Sequence, residues 1–164
     1  MATATEPKVT TAIMKESAIP AAHGWRVLSH SADYALRAVL YLAQREGGDL
    51  IPANEMAEAL GVPQRYLGKV LNTLAHAGTL ASTRGPHGGF RLTRPADQLT
   101  LAEVIAPFDA IGEPLQCLLH HRPCSKLEQC AAHPEWERIA NELRDFFQGI
   151  SVGALLRNGG NARL

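Results

Sequence analysis

The sequence has no net charge to spend on a partner: 16 Lys and Arg offset 16 Asp and Glu over 164 residues. Nor does it hold an uninterrupted apolar run near the ~20 residues of a membrane-spanning helix. Residues 1–24 contain no apolar signal-peptide core and carry Glu6 and Glu16, so the expectation is a cytoplasmic protein without a membrane partner. There is no Cys-x-x-Cys, no phosphate-binding glycine loop and no triad-like motif. That argues against an enzyme, and against a small redox enzyme in particular, and leaves no catalytic residue to name. Cysteine is scarce and odd in number, three in all, so a pure disulfide framework would leave one over. Reduced thiols are the expectation in such a compartment. What remains is 46 % apolar and 20 % charged, a globular composition. The length suits one domain, or a small domain with an extension.

One further absence is local. From Val62 to Arg94 there is no acid, while Arg65, Lys69, Arg84, Arg91 and Arg94 are basic. From Pro95 onward nine acids face six bases. A basic stretch on a neutral chain is an electrostatic footprint for phosphate.

In chain order, residues 1–24 read as a flexible extension of Ala, Thr, Pro and charge. Ser31 is the expected N-cap of a helix over about 32–45, with Asp33 in its first turn. Leu36, Val39, Leu40 and Ala43 form its inner face, and Gly47-Gly48 stops it. Pro52 stands near the start of a short helix carrying Met56, Ala57 and Leu60, which Gly61 ends. Pro63 opens a third helix with Leu67, Val70, Leu71 and Leu74 inside. Gln64, Arg65, Lys69, Asn72 and His76 fall outside.

Two helices joined through Gly61-Val62 give a helix-turn-helix signal. Thr79–Arg84 and Phe90–Arg94 then read as strands around the turn Gly85-Pro-His-Gly-Gly89. The expected fold is mainly α with a small β-hairpin wing: a winged helix-turn-helix domain over 25–110, followed by a long C-terminal dimerisation helix. Such a head suits double-stranded DNA. The second helix enters the major groove with its N-terminal residues nearest the bases, which nominates Gln64, Arg65, Tyr66 and Lys69. The hairpin offers Arg84, His87, Gly88, Gly89 and Arg91 to phosphates or the minor groove. Singly, the charged side chains are better explained as solvated surface, Tyr66 as core or a phosphate contact rather than a base reader, and the glycines as turn formers; the joint arrangement favours DNA.

Thr100 can cap a helix over about 101–107. Then come Cys117, Cys124 and Cys130 in a loop over 111–134, with His120, His121 and His133 nearby. Thiolates at these intervals suit a metal centre. No two are as close as the Cys-x-x-Cys pairs that structural zinc usually takes, which ranks zinc, or a metal-free thiol sensor, as the alternative. Pro134 starts the longest helix, over 135–156. Trp136, Ile139, Leu143, Phe146 and Ile150 repeat at 3, 4, 3, 4, a coiled-coil-like seam for a second copy of the chain. Ser151–Leu156 reads as a final short turn or helix, and 157–164 as a flexible tail.

Ser31-Ala-Asp-Tyr-Ala-Leu-Arg37, Tyr66-Leu-Gly-Lys-Val-Leu71, the wing Ser82–Leu92 and the three-cysteine loop together resemble the Rrf family of bacterial winged-helix regulators, over about Trp25 to Leu156. The resemblance implies a homodimeric transcription factor, usually a repressor, on a palindromic operator. It also implies an iron–sulfur cluster on Cys117, Cys124 and Cys130 that senses nitric oxide, redox state or iron and cluster supply. Cys130-x-x-His133-x-x-Trp136 resembles the IscR type, which implies a 2Fe-2S cluster with His133 as fourth ligand. Asp33 stands where the NsrR type carries an aspartate ligand from the partner subunit, which implies 4Fe-4S. Two features depart from the family pattern. The first cysteine interval is one residue longer than in familiar members, and Gly68 replaces the glutamate of the IscR reading helix.

Overall fold

The computed structural model describes residues 27–45, 48–110 and 130–159. The extension 1–24, Gly47, Cys117, Cys124 and the end of the tail lie outside them.

Helix α1 spans His30–Ala43, two residues earlier than the sequence predicts. Ser29, not Ser31, is the N-cap: its hydroxyl accepts from the Ala32 N–H at 3.2 Å. Ser-His-Ser offers two capping hydroxyls, and Ser31 Oγ is engaged elsewhere, 2.7 Å from Tyr66 Oη. Helix α2 spans Ala53–Leu60 and α3 spans Gln64–His76, each beginning after a proline with extended ψ, Pro52 and Pro63. A proline N-cap lacks a capping side chain but presets the φ that leads into the first turn.

Strands β1 (Leu80–Thr83) and β2 (Gly89–Leu92) pair antiparallel, Leu80 with Leu92 through Thr83 with Gly89. Both are shorter than expected; beyond Leu92, Thr93 still donates its N–H to the Thr79 carbonyl at 3.2 Å, and its hydroxyl donates to the carbonyls of Gly78 and Thr79. Ile51 bridges to Phe90 through two backbone hydrogen bonds of 3.0 and 2.9 Å. The wing is thus tied on its second side to the segment before α2. A single residue of pairing has no periodicity, so the sequence carries no signal for it.

A 3₁₀ turn at Ala96–Gln98 leads to α4, Leu101–Ile105, which opens on the expected Thr100 cap. The cap is a full box. Thr100 Oγ1 accepts from the Glu103 N–H, and Glu103 Oε2 accepts from the Thr100 N–H at 2.9 Å. Glu103 also accepts from Arg94 at 2.6 Å. Partial burial opposes its charged form, but these Thr100 and Arg94 hydrogen bonds outweigh it, and the carboxyl sits below the ordinary glutamate range.

Helix α5 spans His133–Gly149 and begins one residue before Pro134. The segment 135–156, expected as the dimerisation helix, holds two helices, the second being the short helix expected from Ser151. Ile150 is extended, its carbonyl accepts from the Leu101 N–H at 3.0 Å, and the Val152 N–H donates to Leu99. These bonds draw the chain back to the domain before α6, Val152–Gly159. Residues 157–159, expected in the tail, therefore lie in α6.

The core gathers Val39, Met56, Leu67, Leu71, Leu74, Leu101 and Ile105 with Val152 and Phe147 from the C-terminal helices. Helix α1 packs against α2, α3, α4 and α6, and α4 packs against α5. Among the described residues no helix is long and apolar enough to cross a membrane.

Candidate nucleic-acid interface and cysteine centre

Helix α3 buries one side in the core. Leu67, Leu71 and Leu74 are fully buried and Val70 nearly so, a stripe at helical spacing. Gln64, Arg65, Tyr66 and Lys69 lie on the exposed side, near the N-terminal end. The start of α3 is fixed by two devices. Gly61 takes a left-handed φ of +64° and caps α2, a conformation that costs glycine nothing. Tyr66 meets Ser31 by hydroxyl contact and Tyr34 edge-to-face at 5.5 Å. Arg37 adds a third tie, donating to the Leu60 carbonyl at 2.8 Å. Sequence reasoning did not find Ser31 and Arg37 as orienting residues. Their partners lie 35 and 23 positions away, and no local pattern encodes such a pairing.

In the wing, Arg84, His87 and Arg91 are exposed. Arg65, Lys69, Arg84 and Arg91 have no acidic partner among the described residues, whereas Arg94 is held by Glu103. The turn glycines also have a reason within the fold itself. A Cβ on Gly88 would stand 2.2 Å from the Thr83 carbonyl oxygen, and one on Gly89 would stand 2.5 Å from that of Ile51. Gly89 is buried, and the Gly88 N–H already donates to Gly85. Gly85, with φ +118°, makes the turn.

Of the cysteine centre, Cys130 and His133 are described; Cys117 and Cys124 are not. Cys130 is half-buried, and its carbonyl accepts from the His133 N–H at 2.9 Å. His133 lies in the first turn of α5 and is 6 % exposed. Its Nε2 is buried without a hydrogen-bond partner among the described residues, and a carboxylate oxygen of Glu137 is 3.8 Å away. Leaving a buried polar atom unsatisfied costs about 1–3 kcal/mol. Coordination would remove that cost, and a sulfur and an imidazole nitrogen one turn apart are donors that an iron–sulfur cluster accepts. Among the described residues no three His, Cys, Asp or Glu side chains gather as a metal site. Asp33 sits on a different element, in the first turn of α1, with its N–H bonded to Ser29.

Helix α5 has two apolar sides. His133, Ala140 and Phe147 are buried, whereas Ile139, Leu143 and Phe146 are 40, 37 and 47 % exposed. Trp136 is half-buried beside them. Ile150, the last residue of the expected seam, leaves the helix and packs against the core.

A helix-turn-helix with an exposed cationic reading helix and a basic two-stranded wing defines a winged-helix DNA-binding protein. More narrowly, the chain belongs to the Rrf2 family, described as iron-dependent transcriptional regulators, which matches residues 28–158. Among its relatives is a putative HTH-type transcriptional regulator of Aquifex aeolicus, 32 % identical over 79 % of this chain and 91 % of that one. The HTH-type transcriptional regulator IscR of Vibrio campbellii is 29 % identical over 80 % of this chain and 77 % of its own length. Among solved structures, T. potens IscR superposes with a TM-score of 0.67 at 22 % identity, covering 86 % of this chain and 93 % of that one. The global cysteine regulator CymR of B. subtilis gives 0.67 at 21 %, covering 82 % and 98 %. This chain is a DNA-binding transcriptional regulator.

Proposed function

We propose that the protein is a homodimer that binds a palindromic operator with an affinity set by an iron–sulfur cluster on Cys117, Cys124 and Cys130, with His133 as fourth ligand. The observation that carries this reading is the buried, unpartnered Nε2 of His133 one turn from Cys130. It favours His133 over Asp33. When bound, the cluster supplies an oxidation- and ligand-sensitive centre.

The chain's own elements provide the coupling. Residues 111–129 join α4 to α5, and α4 packs against both α5 and α1. Helix α1 carries Ser31 and Arg37, which hold the start of α3 and the end of α2. Fixing the head of α5 therefore bears on how the reading helix sits. In a dimer paired through Ile139, Leu143 and Phe146, the two reading helices must match half-sites about one DNA turn, roughly 10 base pairs, apart. A coupling of about 1–3 kcal/mol suffices to switch occupancy.

Mössbauer spectra with iron and sulfide analysis of anaerobically purified protein test the reading. The expected result is a bound cluster with one non-cysteine ligand, whose signature changes in His133→Ala and persists in Asp33→Ala. A colourless, iron-free protein from anaerobic cells would overturn it. So would equal operator affinity of the cluster-loaded and cluster-free forms at matched salt.

A further inference from the structure

The geometry points to Gly68 as a specificity-determining residue of the DNA interface, one that acts by presenting bare backbone to a base pair; this rests on the DNA-binding reading above. Most described glycines have a reason inside the protomer. Gly48, Gly61, Gly78 and Gly85 take a positive φ. Gly88, Gly89 and Gly153 have a neighbouring atom where a Cβ would stand. Gly149 ends α5. Gly68 has none of these reasons. It lies in the middle of α3 and outside the positive-φ set, and among the described residues nothing beyond its own helix comes within 4 Å of the position a Cβ would take.

A helix-interior glycine is nonetheless unfavourable, because its backbone loses more freedom on folding than alanine's. A position that would accept a methyl group freely, and would gain stability from it, is held bare in the element that reads DNA. The buried stripe of Leu67, Leu71 and Leu74 faces the core. Gly68 falls instead on the side of the exposed Gln64, one turn before it, and Asn72, one turn after it. Side chains thus project on both sides of a gap along the helix axis. In a major groove, such a gap admits a base edge or a thymine methyl to the helix backbone, while the flanking Gln64, Arg65 and Asn72 reach the neighbouring pairs. A side chain at 68 would fill that space or hold the helix away from the groove floor.

The inference separates stability from recognition, and its test uses that separation. Anaerobically purified full-length wild type is used to select duplexes from a random-sequence library. Gly68→Ala and Gly68→Gln are then measured on the selected duplex and on a scrambled duplex, alongside thermal melting. Gly68→Ala is expected to melt higher. Its affinity for the selected duplex should fall by about tenfold or more, the scale of one mismatched base pair. Affinity for the scrambled duplex, and the salt dependence, should be unchanged because no phosphate contact is lost. Gly68→Gln, used in a fresh selection, should change the preferred base at one position per half-site. Wild-type affinity of Gly68→Ala for the selected duplex would overturn the inference, as would equal losses on both duplexes together with a lower melting temperature. A wild type that enriches no sequence at all would overturn the DNA reading itself, and this inference with it.

Discussion

Two single residues carry opposite electrostatic situations. The His133 Nε2 is buried without a hydrogen bond among the described residues, so the protein without a bound metal bears the cost of an unsatisfied atom. His133→Leu removes that atom while filling similar space. The metal-free variant is expected to be more stable than metal-free wild type by about 1–3 kcal/mol, measured by urea unfolding, although under the proposed ligation it loses the nitrogen ligand. Equal or lower stability would show that the nitrogen is satisfied some other way. Glu103, by contrast, is held in its charged form by Thr100 and Arg94. A carboxyl lowered in the folded state stabilises the protein above its unfolded value, near 4.5. That contribution is lost as pH falls through the lowered folded value. Glu103→Gln should therefore flatten the acid limb of the stability curve below about pH 4.5 and leave the slope near neutrality unchanged. An acid limb identical to wild type would remove Glu103 from the account. Of these residues, Thr100 was legible in sequence as a cap because its partner is three positions on. The Arg94 contact and the orphaned imidazole were not, since burial and long-range partners are not local properties.

Among the elements, the reading helix and the arm make separate predictions. Lys69 lies on the exposed face of α3 without an acidic partner among the described residues. Lys69→Ala should weaken binding by similar factors on selected and scrambled DNA, and reduce the slope of log affinity against log salt by about 0.9 if it meets one phosphate. An unchanged slope would move Lys69 away from the backbone. On α5, Leu143 is 37 % exposed and lies outside the core. Leu143→Asp should give a folded monomer by analytical ultracentrifugation, with operator affinity lost along with the second half-site. A variant that stays dimeric would place the pairing surface elsewhere. Most elements could be read from the sequence: three helices by their 3.6-residue stripes, the hairpin by its alternation and glycine turn. The errors fell where a long-range bond competes with a local preference. Ser29 replaced Ser31 as cap because Tyr66 engages the second hydroxyl. The helical run after Pro134 broke at Ile150, where Leu99 and Leu101 offer backbone partners to an extended residue.

At the scale of the whole molecule, the winged head is not independent of the C-terminal helices. Phe147 and Val152 belong to the same core as α1 to α4. Gly153 is close enough to Asp97 that a Cβ would stand 2.1 Å from its carboxylate, and Arg157 reaches the same carboxylate at 2.5 Å. The sequence alone determined the class of molecule. Periodicity, the punctuation at Gly61, Pro63 and Gly85, and the acid-free basic stretch are local quantities that survive without coordinates. The three cysteines likewise raised the expectation of a metal centre, two of them outside the described residues. Only the tertiary structure decided which serine caps α1, why Gly88 and Gly89 are glycine, and that Gly68 has no such reason among the described residues. It also decided which side of α5 is left open and that His133 is buried with an unpartnered nitrogen. Each of these depends on atoms brought together from distant parts of the chain, where burial and competition among hydrogen-bond partners are settled by packing rather than by neighbours in sequence.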